Sequence, residues 1–226
     1  MHKYIFQLPI IDRSKRKVAL LELRPSTTDL LDGVSMIDKP MDLACLELWL
    51  LAYLPRISSR DLPENISALI EVSAETLGDN QRFKIWSASA MVAATNLRSP
   101  LYIQLNASEA IDLIAKRARK FKEMESCRIV LVVSGINSTE LLQKALQVYP
   151  WKCIRINAKF AYEHPGETVA AFETVKSRQG ITIMDEIQSR TGLIIATQLQ
   201  VDGVQGPVFG KTMFLLEQQS STRGLH

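Results

Sequence analysis

Carboxylates and amides stand where this sequence ends its apolar strands. Glu22 lies near the end of K-V-A-L-L-E-L (17–23), and Glu71 near the end of S-A-L-I-E-V-S (67–73). Asp185 follows I-T-I-M (181–184). Gln104, Ser134, Asn157 and Gln205 close four further apolar runs. Oxygen donors of this kind suit hard divalent cations, and a cation held that way activates water for hydrolysis. The plainer alternative is that each carboxylate is a solvated residue on the rim of the fold. Their meaning therefore depends on whether the chain brings these ends together.

Other chemistries have little to work with. The histidines are His2, His164 and His226, two of them at the termini. A histidine metal site or a Ser-His-Asp triad has almost no material. Cys45, Cys127 and Cys153 are scattered through apolar segments with no C-x-x-C pair, as expected of buried thiols in a reducing compartment. A net charge of +3 is too small to argue for nucleic acid. No apolar run has the length of a membrane span. The opening Met-His-Lys-Tyr-Ile-Phe reads as a strand start, which makes the cytoplasm the expected compartment. An apolar fraction of 46% against 23% charged residues is enough for a sizeable core.

The elements that must position these residues follow from periodicity. Residues 4–12 and 17–23 are strands joined by the polar turn Ser14-Lys15-Arg16, which favours an antiparallel hairpin. Arg24-Pro25 should stop the second strand. Residues 26–39 are a polar loop. Residues 41–54 form an apolar helix ending before Pro55. Strands follow at 67–73, 101–105, 128–133, 152–156 and 181–184, and a last short one leads into Gly203-Val204-Gln205-Gly206. Between them lie helices over 81–95, 108–124, 138–148, 166–179 and 188–199. The helix over 108–124 has Ser108 as its cap, and Ile111, Ile114, Ala115, Ala118 and Phe121 as its apolar stripe. Its outer face carries Lys116, Arg117, Arg119, Lys120 and Lys122. No aromatic residue interleaves these cations, so the face reads as solvated. The tail Met213-Phe214-Leu215-Leu216 reads as part of a last helix packed on the core. If exposed, Leu215 and Leu216 would suit a homodimer.

Alternation of strand and helix on this scale means a parallel sheet. Eight strand candidates without a glycine-rich phosphate loop fit a closed barrel better than an open sheet. The fold class is α/β: a modified (β/α)8 barrel of the TIM type, with one antiparallel strand in its N-terminal hairpin, formed by residues 1–226 as a single domain. Chemistry in such barrels sits at the C-terminal strand ends, which is where the polar residues above fall.

The chain resembles the bacterial EAL domains, which as a family hydrolyse cyclic di-GMP. L-P-I-I-D (8–12) is similar to the family's opening Q-P-I-V-D, and Glu22 falls where the Glu of E-A-L falls, although the tripeptide here reads E-L-R. R-I-N-A-K-F (155–160) is similar to K-I-D-x-x-F, and I-M-D-E-I (183–187) to V-A-E-G-V. V-Q-G-P-V-F-G-K (204–211) resembles the closing Q-G-Y-x-F, with twenty residues from Asp185 to Gln205 as in the family. The resemblance implies a divalent-metal site of carboxylates and an asparagine. This chain departs from it at most positions. Glu71 stands in place of the Asn, Gln104 in place of a Glu, and V-S-G-I-N (133–137), with Ser134, in place of two adjacent aspartates. Arg155 holds the catalytic Lys position, and Asn157 the Asp beside it. Arginine stays protonated and does a lysine's proton work poorly. The family's phosphate-binding arginine has Ser26 at its position, with Arg24 two residues earlier.

These departures lead to a catalytically inactive EAL-like domain that needs no metal or other cofactor. Its first reading is a regulator that acts through a protein partner, as some degenerate members do on transcription factors of motility genes. The second is a cyclic di-GMP receptor that binds without hydrolysis. The third is a metal-dependent phosphodiesterase with a rearranged site of Glu22, Glu71 and Asp185. The vestigial pocket comprises Glu22, Arg24, Glu71, Gln104, Ser134, Arg155, Asn157, Asp185 and Gln205. Neither nucleic acid nor a membrane is expected as a partner.

Overall fold

Hydrophobic periodicity of two places successive side chains of each strand on opposite faces of the sheet. The faces divide accordingly in the computed structural model, which describes residues 4–26, 43–60, 65–209 and 213–216. Its elements run β1 (Tyr4–Asp12), β2 (Lys17–Ser26), α1 (Leu43–Arg60), β3 (Ser67–Val72), α2 (Ala74–Gly78), α3 (Asn80–Thr95), β4 (Leu101–Asn106) and α4 (Ala107–Glu125). They continue with β5 (Ile129–Ser134), α5 (Thr139–Val148), β6 (Cys153–Asn157), α6 (Ala158–Glu163), α7 (Pro165–Lys176), β7 (Ile181–Asp185), α8 (Arg190–Gln198), β8 (Gly203–Val204) and β9 (Met213–Leu216). Strands β2 to β8 are parallel neighbours in chain order. Strand β1 lies antiparallel between β8 and β2 and closes the barrel. This is the closed eight-stranded barrel with an antiparallel N-terminal strand that the sequence implies.

Alternate strand residues face outward to the helices and build the main core. Ile70, Leu101, Ile103, Leu131, Val133, Ile154 and Ile156 belong to it, with Trp86, Phe121 and Trp151 from the helical layer. A second cluster fills the barrel interior: Ile10, Leu20, Leu69, Tyr102, Val132, Cys153 and Ile183. Two residues further along six of these strands stand Glu22, Glu71, Gln104, Ser134, Arg155 and Asp185. The inner face thus changes from apolar to polar within one step of the pleat.

The expected elements differ from the observed ones at several points. Strand β2 runs on through Arg24 and Pro25 to Ser26, because β1 continues to pair with it there. Helix α1 passes through Pro55 to Arg60. The buried Leu50, Leu51 and Leu54 hold that face against the core despite the missing amide donor. The cap of α4 is Asn106, whose side chain accepts from the Ser108 amide; Ser108 lies inside the first turn. Helices α2 and α6 are too short for a periodic signal. The segment 213–216 is a strand, β9, paired antiparallel with β1, and not a helix. The loop over 27–39, the helix start at 41–42 and the motif residues Gly210 and Lys211 lie outside the described residues. Among the described residues no helix is long and apolar enough to cross a membrane.

Candidate functional site

Strand β6 carries Arg155 into the barrel directly above Cys153, and the guanidinium meets oxygen on three sides. Its Nε donates to Asp185 Oδ2 at 2.5 Å. Its Nη1 donates to Glu22 Oε2 at 2.9 Å and to Gln104 Oε1 at 2.7 Å. Its Nη2 donates to Gln205 Oε1 at 2.5 Å. The four acceptors come from β2, β4, the end of β7 and the turn after β8. The Arg155 side chain is only 6% exposed and that of Glu22 only 1%. Four of the five N–H donors of the guanidinium are used, in the planar fork that arginine alone provides.

Glu22 is held from both sides. Oε2 receives Arg155 and, at 3.0 Å, the Gln205 side-chain amide. Oε1 receives Arg24 Nε at 2.7 Å. Burial alone would raise the Glu22 carboxyl, but the charges of Arg155 and Arg24 overcome it and hold the group below its ordinary range. Burial likewise opposes the charge on Arg155, and Asp185 and Glu22 outweigh it, so the guanidinium is held above its ordinary value. Asp185 has one satisfied oxygen; its Oδ1 is buried without a hydrogen-bond partner.

The turn that places Gln205 explains both of its flanking glycines. A Cβ on Gly203 would come within 3.2 Å of Ile10 and 3.3 Å of Ile183 inside the barrel. Gly206 has φ of +154°, and a Cβ there would lie 2.3 Å from the Ile187 carbonyl oxygen. Gln205 is clamped between them: its amide donates to the Met184 carbonyl and its own carbonyl accepts from Ile187. The G-x-Q-G pattern is therefore a device that brings one amide side chain to the barrel axis.

Above this layer opens a cavity of about 980 Å³ at the C-terminal strand ends. Seven of the nine residues singled out from the sequence line it: Arg24, Glu71, Gln104, Ser134, Arg155, Asp185 and Gln205. Glu22 lies beneath, at the guanidinium. Asn157 does not join the site. One step beyond Arg155 on the inner face, it turns to cap α6, accepting from the Phe160 amide at 2.7 Å. Glu71 sits beside Gln104 in the β3–β4 register and makes no hydrogen bond or ion pair among the described residues. Burial raises its carboxyl, Arg24 lowers it, and burial prevails.

Sequence reasoning missed Glu109, Glu186 and Asn106, which also line the cavity. Glu186 directly follows Asp185 and was findable from the strand end. Glu109 lies in the first turn of α4, and helix starts face the mouth in a parallel barrel, a placement invisible before closure.

No protein-family model and no curated protein sequence matches the chain. Solved structures do. The EAL domain of Mycobacterium smegmatis DcpA superposes with a TM-score of 0.69 at 15% identity, covering 93% of each chain. The FimX EAL domain of Pseudomonas aeruginosa, bound to c-di-GMP, gives 0.66 at 14% identity over 93% of this chain and 90% of that one. Klebsiella pneumoniae BlrP1, in a complex with manganese and cyclic di-GMP, gives 0.71 at 12% identity over 94% of this chain and 56% of that one. The chain has the fold of the EAL domains.

The divalent cations that the resemblance implies do not fit the residues present. Glu22 Oε2 and Asp185 Oδ2, which would face such an ion, already receive Arg155. Among the described residues no group of three or more His, Cys, Asp or Glu side chains is arranged to hold one. At about 4 Å and an effective dielectric near 20, each unit of like charge beside a guanidinium costs about 4 kcal/mol.

Proposed function

We propose that this chain is a catalytically inactive EAL-type domain that regulates bacterial cyclic di-GMP signalling by binding a protein partner. One observation carries the reading: Arg155 occupies the centre of the oxygen cluster from which an EAL-type hydrolase would work. Glu22 and Asp185 neutralise a side chain instead of positioning water, and the guanidinium keeps its proton.

The charge of the mouth disfavours the second reading, that of a cyclic di-GMP receptor. The lining holds Glu71, Glu109, Asp185 and Glu186 against Arg24 and Arg155, with Glu22 beneath. With Glu71 left out of the count, the excess of carboxylates remains. Such a cavity repels a ligand carrying two phosphodiesters. Among the described residues, Arg24, half-exposed and bonded to Glu22, is the lining cation best placed to favour an anion. The rearranged hydrolase of Glu22, Glu71 and Asp185 has two of its three carboxylates committed to arginines.

The test is calorimetric titration with cyclic di-GMP, with and without magnesium, alongside an assay for linear dinucleotide. The regulator reading expects no heat and no product. Binding without product favours the receptor, and product with magnesium or manganese the hydrolase.

A further inference from the structure

We infer that the Arg155 guanidinium is the resident counter-cation of this barrel mouth, a tethered group that takes the place of a divalent metal ion and keeps such ions out. The inference concerns how the site is built and does not depend on the regulatory reading above.

Glu22 Oε2, Gln104 Oε1, Asp185 Oδ2 and Gln205 Oε1 converge on one cationic group at 2.5 to 2.9 Å. Two carboxylate and two amide oxygens make a donor set of the class hard cations take. Here the cation is covalently part of β6 and cannot dissociate. The directly paired charges balance without an outside ion: Glu22 and Asp185 against the buried Arg155 and the half-exposed Arg24. An added divalent ion would bring an uncompensated charge of two into a place where the guanidinium already satisfies four oxygens. To admit it, Arg155 would have to leave a position in which its side chain is 6% exposed.

The two acids do not depend on Arg155 equally. Without it, Glu22 keeps Arg24 and the Gln205 amide. Asp185 keeps nothing, since Oδ2 bonds Arg155 alone among the described residues and Oδ1 is already unpartnered. Removing the guanidinium therefore leaves a part-buried carboxylate facing two vacated amide oxygens and the Glu22 Oε2, which is a cation site in need of an ion.

The experiment is Mn²⁺ titration of the full chain, read by electron paramagnetic resonance of the free ion, with thermal unfolding in parallel. The wild-type chain is expected to show no saturable Mn²⁺ binding and no change in melting with Mn²⁺, Mg²⁺ or chelator. Arg155→Met is expected to melt roughly 6 °C lower or more. It should gain Mn²⁺ affinity at least about tenfold over wild type, as loss of one positive charge from the cluster implies, and Mn²⁺ should restore part of its melting temperature. Adding Asp185→Asn should abolish the gain. Folding of Arg155→Met only when Mn²⁺ is present supports the inference equally. Saturable Mn²⁺ binding by the wild-type chain overturns it whatever the variant does, as does a folded Arg155→Met that binds no better than wild type.

Discussion

The barrel interior holds two neighbouring layers built on opposite principles. The lower, from Ile10, Leu20, Leu69, Tyr102, Val132, Cys153 and Ile183, is apolar and closes by shape. The upper, one step along the pleat, closes by charge: a single guanidinium ties β6 to β2, β4, the end of β7 and the turn after β8 through Glu22, Gln104, Asp185 and Gln205. Burying the lower layer is favourable residue by residue. Burying the upper layer is favourable only if every member is present, because an ion taken out of water needs its partner. The lower layer should therefore tolerate graded losses, whereas the upper should fail in a non-additive way.

The largest effect tests that contrast most severely. Arg155→Met should cost about 3–5 kcal/mol of stability, since it strands Asp185. The triple variant Arg155→Met, Glu22→Gln, Asp185→Asn should cost less than Arg155→Met alone, although it changes more. Additive losses in urea denaturation would break the distinction between the layers. Next in size, Leu69→Ala or Ile183→Ala should cost about 2–5 kcal/mol according to the cavity left, with no sensitivity to salt or partner substitutions.

A smaller effect has a sign fixed by pH. Burial raises the Glu71 carboxyl above its ordinary 4.5. The stability associated with its protonated form is fully present below that value and is lost as pH rises through the raised one. Glu71→Gln should thus leave stability unchanged in acid and increase it near neutrality. Glu22 is the opposite case: its depressed carboxyl contributes stability above 4.5 that is lost as pH falls through the lowered value. Smallest of all, Arg24→Gln should cost no more than about 1 kcal/mol, because its side chain is 51% exposed and screened by water.

Much of this was legible in the sequence. Strand periodicity and the count of strand ends pointed to the barrel and put Glu22, Glu71, Gln104, Ser134, Asn157, Asp185 and Gln205 at its C-terminal strand ends. What periodicity could not supply was who bonds whom. Arg155 reads from the sequence as a poor replacement for a lysine; only closure of the barrel brings it within reach of residues 133 positions away. Asn157 obeys the same alternation yet leaves the site, because a strand-end asparagine beside a helix start is drawn to the free amides of that helix. Pro55 marks a helix end in most local readings, and buried leucines around it overrode that preference. Residues 213–216 carry no alternation to separate strand from helix, and the partner that decides it, β1, is far away in the chain.

The central claim is that Arg155 holds the place of a metal ion. A crystal structure of the wild-type chain grown with manganese, with anomalous data, tests it directly. The account expects the guanidinium bridging Glu22 and Asp185, and no anomalous peak among those oxygens. A manganese ion between the two carboxylates, with Arg155 turned out toward solvent, would contradict it.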